Sequence, residues 1–87
     1  MKIVKKGQAG TMQSSDLMVT VEPAEELIID IQSTVKKQFE HLIRAKLEET
    51  LVKHGVKTGK VSISDRGALD YAIEARLEAA LQRAGSV

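Results

Sequence analysis

Hydroxyls and a carboxylate crowd together behind a glycine in Gly10-Thr11-Met12-Gln13-Ser14-Ser15-Asp16-Leu17-Met18 of this 87-residue chain. A serine in such a stretch has two chemical uses. It can act as an activated nucleophile, or it can carry a group in an ester link. Activation needs a base held against the hydroxyl. The only histidines are His41 and His54, nothing in the sequence fixes either near Ser14, and no nucleophile-elbow pattern is present. Attachment needs only an exposed position, and loops supply those. The plainer reading is a turn before a strand, with Ser14, Ser15 and Asp16 bonding to nearby backbone.

The other candidates are weaker. His41 and His54 lie thirteen residues apart on one predicted helix, about 20 Å along its axis and on different sides. They do not share a metal, and His54 in the last turn complements the helix dipole. Glu25-Glu26 and Glu48-Glu49 are adjacent pairs, which face apart and do not suit acid–base work. Lys2, Lys5, Lys6, Lys36 and Lys37 could meet a phosphate-bearing group, but charge runs are usually solvated faces. Gly59-Lys60 and Gly7-Gln8-Ala9-Gly10 lack the spacing of a phosphate-cradling loop. No catalytic cluster of acid, base and nucleophile can be built, and no metal site.

Composition narrows the classes further. The chain has no cysteine, which excludes disulfides, a thiolate nucleophile and cysteine-based zinc sites. If it handles thioesters, the thiol comes from outside the polypeptide. Thirteen basic residues against twelve acidic leave a formal charge of +1, unlike the basic excess of a nucleic-acid binder. One Phe and one Tyr leave few rings for stacking bases. Apolar runs are far shorter than the roughly 20 residues that span a bilayer, and Met1–Lys6 lacks a signal peptide's apolar core. The expected location is the cytoplasm.

The elements that must position the serines emerge from periodicity. Residues 1–16 are polar and glycine-spaced, and read as a flexible lead-in; residues 17–87 read as one domain. Leu17–Glu22 alternates as a strand with Leu17, Val19 and Val21 inward. Pro23–Glu26 is a turn. Leu27–Gln32 is a second strand with Leu27, Ile29 and Ile31 inward, and so short a link predicts an antiparallel hairpin. Ser33 can cap a helix from Thr34 to about His54, with Val35, Phe39, Leu42, Ile43, Leu47 and Leu51 on one stripe and Glu49–Lys53 as a surface pair. Gly55 ends it. Lys60–Ser64 is a third strand. Asp65-Arg66-Gly67 is a turn, in which Asp65 can cap the second helix. That helix is Ala68–Ala84, with Leu69, Ile73, Leu77, Ala80, Leu81 and Ala84 inward. The order β-β-α-β-α predicts a two-layer α+β domain, with a three-stranded sheet covered by two helices. If the second and third strands run parallel, their crossover is right-handed.

Gly10-Thr11-x-x-Ser14-x-Asp16-Leu17-Met18 resembles the N-terminal signature of the citrate lyase acyl carrier proteins, the gamma subunits of that lyase. Lys37-Gln38-Phe39, Asp65-Arg66-Gly67-Ala68-Leu69-Asp70 and Ala75-Arg76-Leu77-Glu78-Ala79 resemble further motifs of that family in the same order. The similarity runs from Met1 to about Ala84. Tyr71 stands where members often have cysteine, Ser15 where some have glycine, and many members continue past Val87 into an aromatic-containing tail.

The resemblance implies a carrier with no catalytic step of its own. It implies a phosphoribosyl-dephospho-CoA arm joined by a phosphodiester to the serine matching Ser14, with Ser15 as the alternative. The precursor is 2'-(5''-triphosphoribosyl)-3'-dephospho-CoA. The arm's thiol holds acetyl and citryl groups while citrate is cleaved to oxaloacetate and acetate. The implied partners are the alpha acyl-exchange subunit, the beta lyase subunit and the transferase that installs the arm, with neither nucleic acid nor membrane. Glu48, Glu49, Glu74 and Glu78 are candidate docking residues, and Asp16 a candidate for orienting the serine hydroxyl. Two other readings stand beside this one: an acyl carrier of a malonate decarboxylase-type complex, and a non-covalent regulatory or interaction module.

Overall fold

A computed structural model describes residues 2–13, 16–33, 39–67 and 70–86. The described elements are β1 (Lys2–Ile3), β2 (Gly7–Gly10), β3 (Leu17–Glu22), β4 (Leu27–Ser33), α1 (Glu40–Lys53), β5 (Gly59–Asp65), α2 (Asp70–Ala84) and β6 (Gly85–Ser86). The two-layer α+β class holds, but the main sheet has four strands, ordered β2-β3-β5-β4. The expected three-strand sheet lacked β2, which lies inside the stretch read as a lead-in. Ile3 and Ala9, also in that stretch, are buried with the core. β1 pairs antiparallel with β6 at the chain's other end.

β2 was hidden because Gly-Gln-Ala-Gly has the composition of a loop. Its glycines are there for space. A Cβ on Gly7 would fall 2.4 Å from the Ala80 carbonyl oxygen and 2.7 Å from the Ala84 Cβ. β2 therefore lies close under α2, at a distance only a bare backbone allows. Gly10 has φ +101, and a Cβ there would fall 1.9 Å from the Leu17 carbonyl oxygen. It ends the ladder at the Gly10–Met18 pair and turns the chain into the Thr11–Asp16 loop.

The expected hairpin between Leu17–Glu22 and Leu27–Gln32 does not form. β5 lies between those strands, antiparallel to β3 and parallel to β4. β5 buries Val61 and Ile63 almost completely, as a strand with neighbours on both sides should. β4 carries Asp30 and leaves Leu27 and Ile28 exposed, as an edge strand can. The parallel β4-α1-β5 connection carries the chain across the space between them.

Inward positions of β3 are fully buried at Leu17, Val19 and Val21, and so are Leu77, Ala80, Leu81 and Ala84 of α2, with Ile73 nearly so. Leu69 and Val35 lie outside the described residues. On α1 the buried stripe is narrower than expected. Ile43, Leu47 and Leu51 point inward with Thr50, whereas Phe39 is 45% and Leu42 54% exposed. Phe39 precedes the first full turn, and Leu42 lies about 100° around the helix from Ile43. Thr50 is tolerated in the core because its hydroxyl donates to the Lys46 carbonyl at 2.9 Å.

Both helices lie on one face of the sheet. Lys46 and Lys53 of α1 bond Glu74 of α2, each at 3.2 Å. The Glu74 carboxyl consequently titrates lower than an ordinary carboxyl, first through the hydrogen bond from Lys53 and then through that from Lys46. The His54 ring meets the Glu78 carboxylate at 2.7 Å. Lys53 thus reaches across to α2, where the sequence suggested a surface pair with Glu49. The other face of the sheet presents Met18, Thr20, Ser62, Ser64, Asp30 and Gln32, in rows set by the strand register.

Candidate functional site

The site is built around the loop joining β2 to β3. Ser14 and Ser15 themselves lie outside the described residues; what the structure gives is the frame of residues on either side of them. Thr11 N–H donates to the Leu17 carbonyl at 3.1 Å, and Asp16 N–H to the Gln13 carbonyl at 3.2 Å. The residues on either side of the two serines are therefore bonded to each other. Arg66 N–H, just past β5, donates to the Asp16 carbonyl at 2.9 Å.

Asp16 is the clasp of this frame. Its Oδ2 accepts from the Thr11 hydroxyl at 2.6 Å, and its Oδ1 from the Leu17 N–H at 2.7 Å. Arg76, from the middle of α2, forks onto both oxygens, Nε to Oδ1 at 3.2 Å and Nη2 to Oδ2 at 3.1 Å. The Thr11 hydroxyl in turn accepts the Gln13 N–H at 3.3 Å. These bonds favour the ionised carboxylate. The Asp16 carboxyl titrates below its ordinary range, chiefly through the Thr11 bond, then the Leu17 N–H, with Arg76 adding to both. Both oxygens are engaged by the frame, so Asp16 bonds residues on either side of the serines to each other and to α2; the serine hydroxyl it was expected to orient lies outside the described residues.

Beside this loop the sheet's helix-free face forms a cleft of about 310 Å3, lined by Met12, Gln32, Ser33, Ser64, Asp65 and Arg66. A shallower hollow of about 130 Å3 shares Gln32 and Ser64 with it and continues past Thr20, Ser62 and Asp30. Asp65 is nearly buried, and its Oδ2 accepts from the Ser33 hydroxyl at 2.9 Å. Ser33 thus ends β4 and bonds β5; residues 34–38, whose backbone it was expected to cap, lie outside the described residues. Neutral donors and acceptors dominate the lining, and Arg66 is its exposed cation.

Among the described residues no group of three or more His, Asp or Glu side chains could hold a metal. His41 is exposed on α1, and His54 serves the interhelical pair. Glu74 and Glu78, expected as docking residues, are bound to α1, whereas Glu48 and Glu49 remain exposed.

The comparisons with known proteins fall on the same elements. The model of the family described as "Malonate decarboxylase delta subunit (MdcD)", an acyl carrier protein family, matches residues 4–84. The citrate lyase acyl carrier protein of Pectobacterium carotovorum is 49% identical over 85 residues, 97% of this chain and 88% of the relative. That of Albidiferax ferrireducens is 51% identical over 85 residues, 95% of this chain and 87% of the relative. The chain belongs to this acyl carrier family. A chain of the Pseudomonas malonate decarboxylase hetero-tetramer, crystallised with malonate, shares the carrier's fold at TM-score 0.74 and 24% identity, over 98% of this chain and 93% of that one.

Three of the four family-like motifs meet at one end of the carrier. Gly10–Met18 supplies the loop, Asp65-Arg66-Gly67 borders it, and Arg76 locks it. Lys37 and Gln38 of the fourth lie outside the described residues. Arg76 had no functional reading from sequence, because a basic residue on the polar side of a helix has many uses. The signal that could have found it is the recurrence of its motif alongside the one containing Asp16.

Proposed function

We propose that the chain is the acyl carrier subunit of a citrate lyase, loaded at Ser14 with a phosphoribosyl-dephospho-CoA group through a phosphodiester. The observation that carries this reading is identity near one half, over nearly the whole chain, to citrate lyase acyl carrier proteins. The chain carries acyl groups and performs no catalytic step. When bound, the group supplies a thiol on which acetyl and citryl residues are held as thioesters.

The polypeptide's own contributions are of a different kind. Asp16, Thr11 and Arg76 bond the two ends of the loop to each other and to α2, on either side of positions 14–15. Arg66 and the polar side chains Gln32 and Ser64 of the cleft beside the loop match a polar, phosphate-bearing group in chemistry. A chain without cysteine offers no thiol to compete for the acyl group. Tethering keeps the substrate at high local concentration beside successive active sites. The partners are the alpha and beta subunits and the arm-installing transferase, in the cytoplasm. No helix among the described residues is long and apolar enough to cross a membrane.

A malonate decarboxylase complex is the second reading, favoured by the name of the matching family model. Reconstituting the loaded chain with citrate lyase alpha and beta subunits separates the two. Citrate cleavage, absent with malonate and absent with the Ser14→Ala chain, is the expected result. Failure with citrate, together with support of malonate decarboxylation in the other complex, selects the alternative.

A further inference from the structure

Among the described residues no helix covers the face of the sheet opposite α1 and α2. Strand register sets its side chains in rows. Met18, Ser64 and Gln32 form the row next to the loop, and Thr20, Ser62 and Asp30 the one behind it. The two hollows share Gln32 and Ser64, so they are one groove running from the loop over both rows. We propose that this groove is a resting site for the nucleoside-phosphate end of the arm, with Arg66 as its cation. This rests on the carrier reading and adds to it where the arm lies between transfers.

Position comes first. Met12 lines the groove and stands two residues from Ser14, within about 7 Å of chain. The part of the arm nearest its attachment is the phosphoribosyl and nucleoside part, so that part reaches the mouth first. Size agrees, since about 310 Å3 lies within the usual 300–1,000 Å3 of small-molecule sites. Chemistry agrees as well. Ribose hydroxyls and base edges need neutral donors and acceptors, which Gln32 and Ser64 supply, and the Met12 thioether offers a soft surface to a base.

Charge sets the direction. Arg66 lines the loop end of the groove, with its backbone N–H bonded to the Asp16 carbonyl, and a guanidinium binds phosphate oxygens in a fork. Asp65 also lines the loop end, but it is nearly buried and its Oδ2 is taken by the Ser33 hydroxyl, whereas Asp30 at the far end is exposed and repels anions. Phosphates therefore rest at Arg66, and the carboxylates of a citryl group are kept off the sheet. The thiol end is left free to reach other subunits.

The test uses the full chain, loaded by its transferase, with loading read as intact mass. Amide NMR spectra of bare and loaded chains are compared. The expected result is a set of shift changes at Gln32, Ser33, Ser64 and Arg66, beyond those of residues 11–16. In an equally loaded Arg66→Gln chain the groove shifts are lost while the loop shifts persist, Arg66→Lys keeps part of them, and added salt weakens them. Shifts confined to residues 11–16, or groove shifts unchanged in Arg66→Gln, overturn the proposal and leave the carrier role standing. A chain that takes no arm, from a transferase active on a known carrier, removes the carrier role and this proposal together.

Discussion

Asp16 decides how the serine loop is held, and it does so as a charge. Thr11, Leu17 and Arg76 all donate to its carboxylate. Because its pKa is lowered in the fold, the unfolded chain takes up that proton first as pH falls. The stability Asp16 contributes is complete above the ordinary carboxylate range and is lost as pH drops through the lowered value. An Asp16→Asn chain should therefore melt below the native chain at neutral pH, with the gap closing in acid; paired melting curves across pH check this, and a constant gap contradicts it. Arg76→Ala should lower both the melting temperature and the rate of arm installation, with Arg76→Lys recovering less than full rate because a lysine cannot fork onto both oxygens. Equal installation rates for native and Arg76→Ala chains would remove Arg76 from the site. Asp16 was visible in the sequence as part of a crowded polar stretch. Arg76 was not, because the two lie sixty residues apart and only the packing of α2 over the loop joins them.

At the scale of elements, β2 and α2 form the tightest joint. Gly7→Ala puts a methyl against the Ala80 carbonyl and Ala84 and should cost about 1–3 kcal/mol through overpacking. Leu77→Ala removes a fully buried side chain and should cost about 2–5 kcal/mol. Urea unfolding measures both; a neutral Gly7→Ala would mean that β2 is not packed as described. The helices and the alternating strand β3 were legible because burial writes its period into the sequence. β2 was not, since close packing there selects glycine, which reads as loop. The pairing of β3 with β5 was not legible either. Sequence neighbours favour a hairpin, and only the parallel crossover through α1 decides which strand becomes central.

At the scale of the molecule, the fold is a small base with a chemically equipped corner. α1 and α2 are joined by Lys46, Lys53 and His54 against Glu74 and Glu78, while Glu48 and Glu49 are the more exposed acidic pair. Reversing Glu48 and Glu49 to Lys should weaken assembly with the alpha and beta subunits if the exposed acidic pair docks; unchanged co-elution would move docking elsewhere. The covalent loading proposed for Ser14 belongs to the loop whose ends Asp16 and Arg76 bond. The most direct test is the intact mass of the chain co-produced with its transferase and arm precursor, followed by fragment mapping. A mass increase equal to the phosphoribosyl-dephospho-CoA group, located on Ser14 and absent from Ser14→Ala, is the predicted result. An unmodified chain, beside a known carrier loaded by the same transferase, would contradict the carrier account.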